Sequence, residues 1–107
     1  KRLSEAVIHG NTVYLCGQVA DDLKADIRQQ TREVLANIDK MLARAGTSKA
    51  QLLTATVYLK SIDDYKAMNE IWDAWTAPGA APARTCLGGV ALFSPHALVE
   101  ITVSAAK

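Results

Sequence analysis

Apolar side chains recur at three- and four-residue steps at Ile27, Val34, Leu35, Ile38, Met41, Leu42 and Ala45, while Arg28, Arg32, Asp39 and Arg44 fall off that stripe. This period predicts one long amphipathic helix over about residues 24–45. Asp21 or Asp22 is placed to cap its start, and Gly46 to supply the left-handed residue that closes it. Ahead of the helix, the apolar run Ala6, Val7, Ile8 and the β-rich run 12–16 flank His9, Gly10 and Asn11, which predicts a hairpin. Gly17 ends that hairpin or marks a close backbone approach.

After the helix, Leu52–Leu59 alternates as a strand, with Leu53, Ala55, Val57 and Leu59 on one face and Thr54, Thr56 and Tyr58 on the other. Ser61 and Asp64 resemble a helix cap, and Tyr65, Met68, Asn69, Trp72 and Trp75 then share one side of a second helix. Pro78, Gly79 and Pro82 break it. Residues 84–91 and 98–105 read as two more strands around a Ser94-Pro95 loop. The order is β-β-α-β-α-β-β, an α+β class with one mixed sheet and two helices on one face. Two helices cover only one face of five strands, so the other face, expected to be apolar, calls for self-association.

Composition points the same way. Of 107 residues, 50% are hydrophobic and 21% charged, a heavy apolar load for one small domain spanning residues 1–107. The net charge of +1 comes from dispersed basic residues, with no basic stripe interleaved with aromatics, so nucleic acid is not an expected partner. Cys16 and Cys86 lack CxxC or Cys/His spacing, which offers neither a zinc site nor a disulfide framework. His9 and His96 read as exposed loop histidines. No run approaches a membrane span or a signal peptide, and the expected location is cytoplasmic.

Arg84 is the anomaly, a cation in a mostly apolar segment just after a proline-rich turn. Counting by twos puts Cys86 on its face, and Glu100 lies across from both if the last two strands pair as a hairpin. Two arrangements fit. One is a cross-strand Arg84–Glu100 ion pair with Cys86 as a small core residue. The other is a pocket in which the guanidinium fork takes a small carboxylate, Cys86 forms a wall, and Glu100 holds or activates a water. Neither histidine is spaced to activate Cys86 as a nucleophile, and no phosphate loop or Ser/His/Asp set occurs. The glycines Gly88 and Gly89 suit a bulge or close packing better than phosphate binding.

Pro82-Ala83-Arg84-Thr85-Cys86, Val99-Glu100-Ile101, Leu15-Cys16-Gly17-Gln18 and Asn69 within Met68-Asn69-Glu70-Ile71-Trp72 occur in that relation over nearly the whole chain. Together they resemble the RidA/YjgF family of enamine/imine deaminases, and the run from Asn69 to Trp75 with Val7-Ile8-His9 resembles its YoaB-like branch. The resemblance implies a chorismate-mutase-like fold and a homotrimer with sheets inward and ligand clefts between subunits. It also implies hydrolysis of small 2-imino acids to 2-keto acids and ammonia, without metal or cofactor. On it, Arg84 grips the substrate carboxylate and Glu100 positions water. Cys86 contributes main-chain contacts, Asn69 lies at the pocket, and Cys16 and Gly17 belong to the substrate-binding set. Departures are Leu3 in place of an aromatic, Cys16 for a serine or threonine, the Gly88-Gly89 pair, and Thr102 for a second acidic residue. They point to a different or larger imino acid, or to the alternative of a non-catalytic trimeric module that binds a small carboxylate or ketoacid.

Overall fold

The computed structural model describes residues 2–107. Strands β1 (Ala6–His9) and β2 (Thr12–Leu15) precede helix α1 (Ile27–Arg44). Strand β3 (Leu52–Leu59), helix α2 (Tyr65–Trp75), β4 (Ala83–Leu87) and β5 (Val99–Ala106) follow. The expected order and class are therefore present. The opening hairpin is antiparallel with His9 opposite Thr12, its two-residue turn opened by Gly10 at φ +61°.

Helix α1 starts later than its apolar period suggests. Asp26, not Asp21 or Asp22, is its N-cap, the carboxylate accepting from the Gln29 amide at 2.9 Å. Asp22 instead accepts from the Lys24 amide at 3.0 Å, capping the turn that leads in, and Asp21 accepts from Asn37 Nδ2 at 3.2 Å. A polar turn before the helix thus uses the acids that would otherwise have capped it. At the other end Gly46 adopts φ +82°, and the Thr47 amide reaches back to the Leu42 carbonyl at 3.0 Å.

The sheet runs β1-β2-β5-β3-β4. Contrary to the expected hairpin, β4 and β5 do not pair. β5 inserts between β2 and β3, antiparallel to both, while β4 lies parallel to β3 at the sheet edge. The reason is topological: a strand-helix-strand unit returns its second strand parallel to the first, which takes β3's outer side for β4. β4 also stops at Leu87, short of the expected Ala91, because Gly88 packs against Ile62 and Gly89 turns at φ +71°.

Helices α1 and α2 cover one face, burying Val34, Leu35, Ile38, Leu42, Met68 and Trp72 against Val13, Leu15, Ala55, Val57, Leu59, Val99, Ile101 and Val103. Leu52, rather than Leu53, joins this core, because a register irregularity between Leu52 and Thr54 shifts the alternation at the start of β3. The opposite face carries Tyr14, Thr54, Thr56, Tyr58, Thr85, Thr102 and Ser104, with Leu87 and Val7 among them. It is uncovered in the chain, as expected, but rich in hydroxyls rather than uniformly apolar; Tyr14 retains 50% of its exposure and Leu87 46%.

Buried Gln30 ties the fold to the loop before β5. Its Nε2 donates to the Ala25 and His96 carbonyls at 3.1 and 3.0 Å, and its Oε1 accepts from the Leu98 amide at 2.9 Å. A fully satisfied buried amide of this kind fixes one arrangement of its surroundings. Gly88 is as constrained. A Cβ there would lie 2.6 Å from Ile62 Cβ and 3.0 Å from Ile62 Cα, so Gly88→Ala should destabilise the fold by about 1–3 kcal/mol in a denaturant titration.

Candidate functional site

Arg84 pairs with Ala55 and Cys86 with Val57, and both of those β3 residues are buried beneath the helices. Arg84 and Cys86 therefore face α2, at the outer edge of the sheet. The Arg84 guanidinium carbon lies 5.0 Å from the centre of the Trp72 ring, and its Nη1 is 3.8 Å from Met68 Sδ. No carboxylate neutralises it: the one ion pair among the described residues joins Arg28 to Glu70 at 3.0 Å. A half-buried cation held by an aromatic face and a thioether keeps most of its donors free for an anion.

Cys86 is half-buried beside it. Burial pushes the thiol's pKa up, and the Arg84 charge pulls it partly back. Removing Arg84 leaves only the upward push. In a Cys16→Ser background, the pH midpoint for alkylation of Cys86 by iodoacetamide should therefore move to higher pH in Arg84→Ala.

Glu100 is elsewhere. It pairs with Tyr58 and so points to the uncovered face, opposite the side that holds Arg84. There its carboxylate packs directly on Gly17, so closely that any Cβ at that position would overlap Oε2. The Gln18 amide donates to the Ile101 carbonyl at 2.8 Å, and the Ile101 amide returns a bond at 3.1 Å. This bridge holds the segment against β5. A cleft of about 360 Å³ opens here, lined by Gly17, Glu100, Tyr58, Thr102 and the loop residues 90–93. Thr102 donates from its hydroxyl to the Leu15 carbonyl at 3.0 Å, which leaves Glu100 as the charged group of the cleft.

The expected site residues thus fall into two separate groups. Glu100 and Gly17 meet on the uncovered face; Arg84 and Cys86 meet on the helix side of β4. Cys16 adjoins the first group, half-buried, with Sγ 3.5 Å from Gln18 Nε2, but it is not among the residues lining the cleft. Asn69 belongs with the second group by position, one turn before Trp72, and its buried Oδ1 has no donor among the described residues. The cross-strand Arg84–Glu100 ion pair is overturned, because β3 separates their strands and the two side chains leave opposite faces. Sequence reasoning missed Trp72 and Met68 as the support of Arg84 and the 90–93 loop as the wall beside Glu100. The parallel return of β4 was the available clue to the first, since it turns Arg84 under α2. No group of three or more His, Cys, Asp or Glu that could hold a metal occurs among the described residues.

A second cavity, about 430 Å³, lies between α1 and α2 and is lined by Arg32, Leu35, Asp39, Ile71 and Trp75 among others. It contains none of the expected site residues. Its Trp75 indole donates to Asp39 Oδ2 at 3.0 Å, an ordinary tie between two helices.

The sequence model of the family described as Endoribonuclease L-PSP matches residues 1–107. Escherichia coli K12 YoaB, a RutC family protein, is 44% identical over 105 residues, covering 98% of this chain and 90% of its own. A RutC family protein of Haemophilus ducreyi is 45% identical, covering 98% and 89%. The crystal structure of a YjgF family member from Neisseria meningitidis superposes with a TM-score of 0.95 at 42% identity, covering 99% of this chain and 87% of that one. With a domain model spanning residues 1–107, relatives at this identity and the same fold throughout, the chain belongs to the Endoribonuclease L-PSP family, the YjgF and RutC proteins.

Proposed function

We propose that this protein hydrolyses small 2-imino acids, and the enamines in equilibrium with them, to 2-keto acids and ammonia, in clefts built by two chains of a homotrimer. The observation that carries this reading is the separation of the two groups. Arg84 offers an unneutralised guanidinium at the sheet edge, and Glu100 lines a cleft on the opposite, uncovered face. One ligand touching both needs Arg84 from one copy and Glu100 from the next. An edge strand with a free side and an uncovered sheet face are the surfaces such an assembly uses.

The chemistry asks little of the protein. Arg84 binds the substrate carboxylate with paired donors, which fixes the imine carbon. Glu100 accepts a hydrogen bond from water and takes its proton as the oxygen bonds to that carbon. That proton passes from Glu100 to the nitrogen to complete the carbinolamine; Glu100 then takes the hydroxyl proton and delivers it to the amine, the carbon–nitrogen bond breaks as the carbonyl forms, and ammonia leaves with the 2-keto acid behind. An imine carbon is already electrophilic, so orientation and a positioned base supply the acceleration without a covalent intermediate.

The test generates imines in place with an amino-acid oxidase and follows keto acid formation against a competing trap. Hydrolysis above the uncatalysed rate is expected for 2-iminopropanoate or 2-iminobutanoate. No acceleration for any imine in a panel spanning small and large side chains contradicts the reading, and calorimetric binding of 2-ketobutyrate without turnover would identify a carboxylate-binding module instead.

A further inference from the structure

Arg84 has no acidic partner among the described residues to orient it, yet a bidentate grip on a carboxylate needs a fixed fork. What holds the guanidinium is α2. Trp72, 6% exposed, presents its ring 5.0 Å from the Arg84 guanidinium carbon, and fully buried Met68 places Sδ 3.8 Å from Nη1. The Trp72 ring is itself fixed by Trp75, with centroids 5.4 Å apart and planes at 52°. Arg84 is thus backed by an aromatic face that is rigid and nearly dry, while its other side stays available at the sheet edge.

We propose that Trp72 is the positioning residue through which Arg84 acts. Its π face fixes the plane of the guanidinium without neutralising it, and so sets the affinity of the site for a carboxylate. A carboxylate partner would orient Arg84 equally well but would compete with the ligand for the same donors; an aromatic face does not. The inference rests on the proposed role of Arg84 as the carboxylate-binding group. It adds that the strength of that binding follows the electron density of one indole ring.

The test varies that density at nearly constant volume. The chain has two tryptophans, so in a Trp75→Phe background, biosynthetic replacement by fluorinated tryptophans labels Trp72 alone. Calorimetry with 2-ketobutyrate should show Kd rising stepwise with the number of fluorines, by about 3- to 30-fold over the series. KM for the imino acid should rise in parallel, and kcat should change little. Trp72→Phe, which keeps a π face, should stay within a few-fold of the parent, whereas Trp72→Leu should fall at or beyond the end of the fluorinated series. Kd unchanged across the series, or loss in Trp72→Phe equal to that in Trp72→Leu, overturns the positioning role while leaving carboxylate binding by Arg84 standing. A parent protein that binds no 2-ketobutyrate overturns both together, and the two failures are told apart by that first titration.

Discussion

Arg84→Ala should lower kcat/KM for 2-imino acids by about 10²- to 10³-fold, the loss expected when a charge-assisted, paired contact to a carboxylate is removed. Most of the loss should appear in KM, because the contact binds substrate and transition state alike, with a smaller part in kcat from poorer alignment. The fold should tolerate the change. Arg84 is half-buried at the edge strand, makes no ion pair among the described residues, and contributes only a thioether contact and a stacked ring to the packing. Arg84→Lys should recover little, since an ammonium lacks the planar fork and stacks less well on Trp72. Steady-state kinetics beside thermal melts decide the matter: a variant that melts like the parent and turns over at the parental rate contradicts the assignment.

Glu100→Gln should have the complementary signature. Amide nitrogen and oxygen fill the same space against Gly17, so substrate binding should hold, while the loss of the proton acceptor should reduce kcat by about 10²- to 10⁴-fold. Gly17→Ala reaches the same end by another route. Its methyl overlaps Glu100 Oε2 and must displace the carboxylate from its place in the cleft, so kcat should fall even though the acid is still present. If Gly17→Ala is silent while Glu100→Gln is not, the position of Glu100 seen here is not the working one.

Much of the fold is legible in residue patterns because the determinants are local. Gly46 closes α1 with a positive φ, and Leu52–Leu59 forms the strand its β-branched alternation predicts. Gly17 proves to be a close approach, though only the structure reveals that the approaching group is Glu100. Local pattern misleads where a second element decides. The alternation in β3 puts Leu53 inward, but a shift in pairing with β5 turns Leu52 in. Asp21 and Asp22 are acceptable caps by type, yet Asn37 and the Lys24 amide claim them.

The candidate site divides in the same way. Arg84, Glu100 and Gly17 are conspicuous by type and setting, a cation after prolines, an acid in an apolar strand and a glycine at a strand end. Their relation is not local at all. Consecutive strands β4 and β5 suggest a hairpin with facing side chains, but the crossover through α2 places β4 parallel to β3 and hands β5 the centre of the sheet. That exchange puts Arg84 and Glu100 on opposite faces and splits the expected one-chain site into two separate groups of residues. Trp72 escaped notice as a site residue because a tryptophan in a helix stripe is, by pattern, a core residue; it is that as well.

The most direct test combines the two inactive variants in one assembly. Arg84→Ala and Glu100→Gln chains, distinctly tagged, are co-expressed, and particles carrying both tags are purified and assayed. When each cleft takes Arg84 from one chain and Glu100 from its neighbour, every trimer carrying both tags holds one intact cleft among its three, so about a third of the parental activity should return. If both groups served from the same chain, every cleft would lack one of them. Doubly tagged particles that remain as inactive as either variant alone would contradict the shared cleft.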